Sequence, residues 1–523
     1  MKIAPFQAFL RLALLAWLCP FSFAAESALT ARINFPTSAS GAAQEHFLSG
    51  VAHLHNFNFA QARSDFLRVQ ELDPEFALGY WGESLTFIHP LRSEGDLSAP
   101  AQSLEKLAKT RQERDTKAAS GIERGFLAAA EAFAFTAGTL KERRRAHRLA
   151  MEQLYGSYPG SEEVQAFYIL TLLSEAASAS TEQSEQLREL AGLMATRLLE
   201  QNSRHPGAAH YIIHSYDDAN NARLAIGAAD RYADIAPLVS HARHMSSHIY
   251  GHLGRWFDVA EANETALYMA RSVWQPGDDP YDQIHALEFG LYGDLQLADF
   301  EAAKQWIERA EDTLTQNPGH QQSRELLARM HARLMVESKN WAYQPINANR
   351  TNDELFAYGL SAVNMRDLAL ARRANTLLQD RADTEPENLS LTISQLELEA
   401  SILFASGLVE ESWAAIDKAV ELALTISTVD PLPEPIKPPL ELKGEMQLRN
   451  GNIEEAIQTF TESLAFMPQR PWTLLGLARS YAAAGLNQSA SDYYRQLLNH
   501  WTDSRLLGVS EARTHLAIFG QNN

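Results

Sequence analysis

Cysteine is almost absent from this 523-residue sequence, because Cys19 is its only one. A single cysteine cannot form an intramolecular disulfide or a thiolate-based metal site. Cys19 lies within residues 1–25, where Lys2 and Arg11 precede a short apolar run and small residues follow it. This pattern is typical of a secretory signal peptide; an amphipathic first helix is the alternative. We expect a periplasmic or secreted protein whose mature chain lacks cysteine.

Long apolar runs and an excess of basic residues are also missing. After the first 25 residues, no run reaches the ~18 residues that a membrane-spanning helix needs, so we predict no transmembrane anchor. Lys and Arg number 45 against 65 Asp and Glu, which gives a net charge of −20. Nucleic acids and anionic membranes recruit basic surfaces, so this charge argues against both partners. Metal cations and basic ligands are more compatible with it.

Several sequence motifs of enzymes are absent as well. The chain contains no P-loop, no GxGxxG after a predicted strand, no GxSxG and no HExxH. These absences argue against a P-loop nucleotide site, a nucleophile-elbow hydrolase and a zincin protease. Alternating apolar and polar residues form no run of useful length, so we expect almost no β-sheet.

A repeat of about 34 residues fills much of the chain instead. The clearest copy carries Gly444, Gly451, Ala456, Phe460 and Pro468. The next period carries Ala478, Tyr481, Gly485, Ala490 and Tyr494, and an early copy carries Gly50, Ala62, Phe66 and Pro74. Small residues permit close helix contacts, and the proline ends the second helix. The spacing resembles the tetratricopeptide (TPR) pattern, and it predicts an all-α, TPR-type solenoid of helical hairpins in a right-handed superhelix.

Four segments interrupt the helical pattern, at residues 89–100, 274–280, 340–352 and 430–439. From these breaks we predict a signal peptide at 1–25 and a TPR-like solenoid with histidine-rich segments at 26–340. We further predict middle helical hairpins at 352–428. A proline-rich linker and a C-terminal TPR pair are expected at 429–523.

Histidine is concentrated in one part of the sequence, with seven of 17 between residues 205 and 252. His210 and His214 are four residues apart, and Asp217 follows three residues later. His244 and His248 repeat the four-residue step on a second segment. Side chains one helical turn apart can bind the same ion, and two helices can complete its ligand shell. These five residues are therefore predicted metal ligands.

Other residues extend the predicted ligand set. His285 lies three residues before Glu288, and a superhelix would bring the upstream residues near the same surface. The complete predicted set is His210, His214, Asp217, His244, His248, His285, His55, Glu83 and His89. Imidazole and carboxylate suit zinc, iron, manganese or copper, and spacing does not choose among them.

Four other histidines receive structural interpretations. We interpret His205 as a helix-entry residue, His241 and His252 as exposed or outside the ligand shell, and His147 as a surface residue. For His210, His214, His244 and His248 together, a buried hydrogen-bonded network between hairpins is the alternative explanation.

The segments HPGAAHYIIHSYDD (205–218) and HARHMSSHIYGH (241–252) resemble a family of exported bacterial TPR proteins. That family carries an HPGxxHYxIHxxD-like block and an HMPSHIY-like block. The likeness covers roughly residues 45–310, and Ser246 stands where the family has proline. The resemblance implies an exported helical solenoid without indicating an activity.

Three functions fit these features. The first is a scaffold that holds a protein or peptide partner in its groove and binds a divalent transition metal at a histidine-rich concave site. The second is a metal-dependent enzyme, a hydrolase or oxidase, with a carboxylate as general base. The third is metal storage or sensing without catalysis.

Overall fold

The computed structural model describes residues 33–92, 96–426 and 431–520, and the predicted signal peptide lies outside these ranges. Within them the chain forms α-helices and no β-strand. The predicted all-α fold of the TPR type is confirmed. Across the same residues, every helix is too short or too polar to cross a membrane.

The helices follow one another with short connections. The first twelve are α1 Gly41–His55, α2 Phe59–Leu72, α3 Ala77–Leu85, α4 Ala99–Leu107, α5 Arg111–Lys117, α6 Gly121–Ala134, α7 Leu140–Ser157, α8 Glu162–Ala176, α9 Thr181–Gln201, α10 Pro206–Ser215, α11 Ala222–Ile235 and α12 Ser240–His252. The next thirteen are α13 Trp256–Val273, α14 Tyr281–Gln296, α15 Phe300–Gln316, α16 Gln321–Ser338, α17 Asn352–Asn364, α18 Leu368–Thr384, α19 Leu389–Ala405, α20 Val409–Ala423, α21 Pro439–Asn450, α22 Ile453–Phe466, α23 Pro471–Ala483, α24 Asn487–Leu498 and α25 Leu507–Phe519.

Local sequence explains where several helices begin. Thr139 and Thr351 each form a capping box. The threonine hydroxyl accepts the backbone N–H of a glutamate three residues later, and the carboxylate of that glutamate accepts the backbone N–H of the threonine. Proline in the first turn starts α10, α21 and α23, because its fixed φ suits that position and its missing N–H is not needed there. The predicted breaks at 274–280 and 340–352 correspond to the connections before α14 and α17.

The hairpins pack through glycines that face an aromatic ring. A Cβ atom at Gly50 would lie 2.8 Å from the ring of Phe66, and one at Gly82 would lie 2.3 Å from it. Phe460 is held in the same way, between Gly444 at 2.7 Å and Gly476 at 2.4 Å. The ring of one helix therefore occupies space that only glycine leaves open on two others. This packing explains the repeat spacing of the sequence.

The chain divides into two compact units. The first runs as far as Tyr216 and includes Leu224–Ser246, and the second comprises Asp217–Arg223 and Ser247–Asn523. This division falls inside the predicted 26–340 segment. The boundaries predicted near residues 340 and 429 stay predictions.

A buried arginine connects four segments of the second unit. Arg470, 1% exposed, donates from Nε and Nη2 to the two carboxylate oxygens of Glu441 at 2.8 and 3.0 Å. The same Nη2 donates to Glu337 at 2.8 Å, and Nη1 donates to the hydroxyl of Tyr292 at 2.9 Å. The partners lie on α21, α16 and α14, so one guanidinium fixes how these helices pack.

Candidate metal centre

Three imidazole rings of the first unit converge on one point. His210 and His214 lie one turn apart on α10, and His241 lies in the first turn of α12. The Nε2 atom of His210 is 3.0 Å from Nε2 of His214 and 3.1 Å from Nε2 of His241. One nitrogen of each ring lies within 4.8 Å of the other two. Two of these residues are predicted ligands, and the structure places His241 beside them.

Hydrogen bonding fixes how His210 presents its ring. Its Nδ1 atom lies 2.7 Å from the backbone carbonyl oxygen of His55. A carbonyl oxygen only accepts, so Nδ1 donates its hydrogen and Nε2 of the neutral ring keeps its lone pair. Metal-binding imidazoles in proteins are commonly oriented by such a bond. Because His210 is fully buried, its ring is also held by packing.

Phe57 lies against all three rings. Its centroid is 4.4 Å from that of His210, 5.6 Å from His214 and 5.7 Å from His241. Phe57 follows the end of α1 with φ of 55°, in the left-handed region that helix ends normally fill with glycine. Ala298, Lys339, Arg366 and Gln469 have the same conformation elsewhere, so it marks the turn after a helix. His214 and His241 are only partly buried, whereas His210 is fully buried.

A second group, His55, Glu163 and His205, is fully buried. His205 Nδ1 accepts the backbone N–H of Ala208 at 3.2 Å, so Nε2 carries the hydrogen and donates to Glu163 Oε1 at 3.1 Å. His55 Nε2 donates to Glu163 Oε2 at 2.7 Å, and its Nδ1 lies 2.8 Å from the Tyr211 hydroxyl. The prediction that His205 is a helix-entry residue is confirmed.

Protonation states follow from this burial. Burial lowers the pKa of His55, so the ring is neutral and Nδ1 accepts the Tyr211 hydroxyl hydrogen. Burial would raise the pKa of Glu163, but His55 and His205 together lower it to about 2. Each ring nitrogen of His55 and His205 makes a hydrogen bond. We therefore interpret the group as a network that joins α1, α8 and α10.

Asp217 belongs to the second unit and accepts a hydrogen bond from histidine. Its Oδ2 lies 2.9 Å from Nδ1 of His248, and its Oδ1 lies 3.3 Å from Nε2 of His252. Burial would raise the pKa of Asp217, but these two imidazoles hold it well below its usual range. The ionised carboxylate takes the Nδ1 hydrogen of His248, which leaves the lone pair of a neutral ring on Nε2.

Two other predicted ligands, His285 and His244, each lie near the ring of another histidine. The ring centroid of His285 is 6.1 Å from that of His248 in the second unit, and Tyr281 stacks on it at 5.4 Å. In the first unit, the ring of His244 lies 6.4 Å from that of His241.

The upstream predicted ligands have other neighbours. The Glu83 carboxylate accepts from Gln70 Nε2 at 2.8 Å and pairs with Lys106. His89 packs on the ring of Phe59 at 4.7 Å, and burial, with Arg92 and Arg63, lowers its pKa. The carboxylate beside His55 is Glu163 rather than Glu83. The ligand roles of His55, Glu83 and His89 stay predictions.

Sequence reasoning misses part of this arrangement. From the sequence, His241 is interpreted as exposed or outside the ligand shell. Its position three residues before His244 could have indicated that both side chains lie on the same face of a helix. His147 is 8% exposed, so the prediction that it lies on the surface is wrong. His252 is 3% exposed, so of its two interpretations only a position outside the ligand shell remains. Glu163 carries no local signal, because its partner His55 is 108 residues away.

No protein-family model matches this sequence, and no curated protein matches it. Among solved structures, the chain is similar to the APC/C hetero-tetramer Cut9–Hcn1, with 12% identity over 97% of this chain and 82% of that chain, and a TM-score of 0.34. Yeast Tom70 shares 12% identity over 91% and 96% of the two chains, with a TM-score of 0.27. The human IFIT1 dimer with PPP-AAAA shares 10% over 91% and 94%, with a TM-score of 0.37. Likenesses this low carry no argument about ligands or activity.

Proposed function

We propose that this chain is an exported TPR-type protein that binds a divalent transition-metal ion through His210, His214 and His241. The observation that supports the proposal is the approach of three Nε2 atoms to 3.0 and 3.1 Å. Neutral imidazoles are preferred ligands of zinc, iron and copper. Export is proposed from the sequence of residues 1–25, and the net charge of −20 is compatible with binding a cation.

We also propose that the chain binds a protein or peptide partner. Arrays of helical hairpins characteristically bind partners along an extended surface. The acidic charge makes nucleic acid an unsuitable partner. In this proposal the scaffold holds its partner, and the metal centre is a separate feature of the first unit.

A metal-dependent enzyme, a hydrolase or oxidase, is the second candidate. Three imidazoles leave a fourth tetrahedral position for water or substrate, as catalytic zinc sites do, whereas structural sites use four protein ligands. The partial exposure of His214 and His241 favours this candidate. Hydrolysis of a chromogenic ester that depends on added metal and on His214 would support it.

Isothermal titration of the purified chain with Zn²⁺ tests metal binding. We expect the His214→Ala and His241→Ala variants each to weaken the binding by about 100-fold or more, since even loss of a residue that only orients a ligand costs 10–100-fold. His331→Ala is the matched control, because this histidine is 48% exposed and lies in the other unit.

Circular dichroism of each variant separates loss of the site from loss of the fold. The proposal is rejected when the unmodified chain binds no zinc, nickel or copper. It is also rejected when His331→Ala weakens binding as much as His214→Ala does.

A further inference from the structure

A second pair of imidazoles lies in the second unit, outside the proposed metal centre. His248 lies near the end of α12, and His285 lies in the second turn of α14. A ring nitrogen of His248 lies within 4.8 Å of a ring nitrogen of His285, and the two ring centroids are 6.1 Å apart. Imidazole nitrogens that bind one tetrahedral zinc ion at ~2.0–2.1 Å lie about 3.3 Å from each other. The two rings therefore need only a small side-chain movement to bind the same ion.

Hydrogen bonding and packing orient both rings. Oδ2 of Asp217 lies 2.9 Å from Nδ1 of His248 and accepts its hydrogen, which leaves the Nε2 lone pair for an ion. A carboxylate in this position fixes the orientation of a metal-binding imidazole and makes it a stronger ligand. Phe289 packs against the ring of His248 at 4.8 Å, and Tyr281 stacks on that of His285 at 5.4 Å. The pair is therefore largely pre-oriented for metal binding.

The charge of Asp217 also favours a cation beside His248. Asp217 is 1% exposed, and a buried carboxylate is costly unless a positive charge compensates it. A divalent ion on the far nitrogen of His248 supplies that charge, and His285 gives the ion a second imidazole ligand. A proton shared by Asp217 and His248 is the alternative, and it makes no use of His285. The proximity of His285 therefore supports the metal ion.

We infer that the second unit binds a divalent transition-metal ion of its own through His248 and His285, with Asp217 as a positioning residue. Water or an external ligand occupies the remaining positions, because two imidazoles do not complete a tetrahedral shell. A site with two protein ligands should bind its ion more weakly than the three-histidine centre of the first unit. The two sites share no residue, so this inference does not depend on the proposed function.

Calorimetric titration with Zn²⁺ at pH 7.5 tests the inference in the His214→Ala/His241→Ala double variant, which lacks two ligands of the first centre. We expect one zinc ion per chain in this variant. Adding His285→Ala should weaken that binding by at least ~10-fold, since losing a ligand costs no less than losing a residue that orients one. Adding His331→Ala is the matched control and should change nothing, because His331 is 48% exposed.

Asp217→Asn in the same background tests the positioning role. Loss of the carboxylate should weaken zinc binding by ~10- to 100-fold at pH 7.5. It should also shift the midpoint pH of zinc binding downward, because His248 without a neighbouring negative charge takes up a proton less readily. A purely structural role of Asp217 would weaken binding without this shift.

Circular dichroism establishes that each variant is folded. If the double variant does not fold, the zinc stoichiometries of the parent and of His285→Ala decide the question, with two ions and one ion expected and equal values overturning the inference. The inference is also overturned if the folded double variant binds no zinc, or if adding His285→Ala and adding His331→Ala have equal effects. Failure of the proposed function gives a different result, in which the parent binds no more zinc than the double variant does.

Discussion

The Nε2 atoms of His214 and His210 lie 3.0 Å apart, while Nδ1 of His210 donates to a backbone carbonyl. Two ring nitrogens come this close when a proton or a cation lies between them, since their lone pairs otherwise repel. His241 Nε2 approaches the same atom of His210 at 3.1 Å. In the proposed metal site a shared cation would satisfy all three rings, whereas without it His214 and His241 would both direct an Nε2 hydrogen at the single lone pair of His210.

Zinc should stabilise the chain at pH 7.5 and have little effect at pH 5. Metal ligands must be deprotonated, and protons compete for imidazole nitrogens below the ordinary imidazole pKa of about 6.5. At a free zinc concentration 100-fold above the Kd, the expected gain in folding free energy is about 2.7 kcal/mol. Thermal unfolding with and without zinc measures it. An equal gain in the His214→Ala variant would contradict the assignment.

Glu163→Gln should destabilise the first unit by about 3 kcal/mol at pH 7. The carboxylate accepts one N–H from His55 and another from His205, and the amide N–H₂ of glutamine would face one of these donors in a buried site. Urea unfolding measures the change. Glu182→Gln is the control, because Glu182 is exposed and its change is expected to stay within about 0.5 kcal/mol.

The stability that Glu163 provides should disappear in acid. Its pKa is about 2 in the folded chain and about 4.3 when unfolded, so the unfolded chain binds the proton more readily between these values. The contribution is therefore complete above about pH 4.5 and is lost as pH falls toward 2, with a total on the order of 3 kcal/mol. Unfolding at pH 2.5, 3.5 and 5 should show the parent and Glu163→Gln converging. A difference that is constant with pH would refute the assigned ionisation.

Gly82→Ala should cost about 1–3 kcal/mol, because its new methyl group would lie 2.3 Å from a ring atom of buried Phe66. Gly227→Ala should instead stabilise the chain by up to about 1 kcal/mol, since a Cβ there meets nothing within 4 Å and alanine favours the helix. Urea unfolding of both variants gives the comparison. If both variants changed the free energy of unfolding in the same direction, packing of the Phe66 ring against glycine would not explain the repeat spacing.

Arg470→Met should destabilise the second unit by about 3–5 kcal/mol. It removes the cation that Glu441 and Glu337 share and leaves both carboxylates buried. Arg495→Met, at an exposed pair with Asp492, should change stability by less than about 1 kcal/mol. Denaturation monitored by circular dichroism tests this. Equal effects of the two variants would mean that the buried network adds no stability.

Much of the fold is readable from the sequence. The glycines at 50 and 444 and the aromatics at 66 and 460 predict hairpins, because contacts within a hairpin join residues close together in the chain. The pairing of His210 with His214 is likewise local, since one helical turn separates them. The role of Glu163 is not readable, and neither is the placement of Asp217 beside His252.

The sequence by itself determined that this protein is an array of helical hairpins rich in histidine at residues 205–252. Helix periodicity and close packing at small residues are encoded within about 34 residues of chain. Only the tertiary structure decided that His241 approaches His210 from 31 residues away and that Glu163 joins His55 across 108. Such long-range contacts depend on the angle at which successive hairpins pack. Many side-chain contacts between hairpins together determine that angle, and no local sequence pattern predicts it.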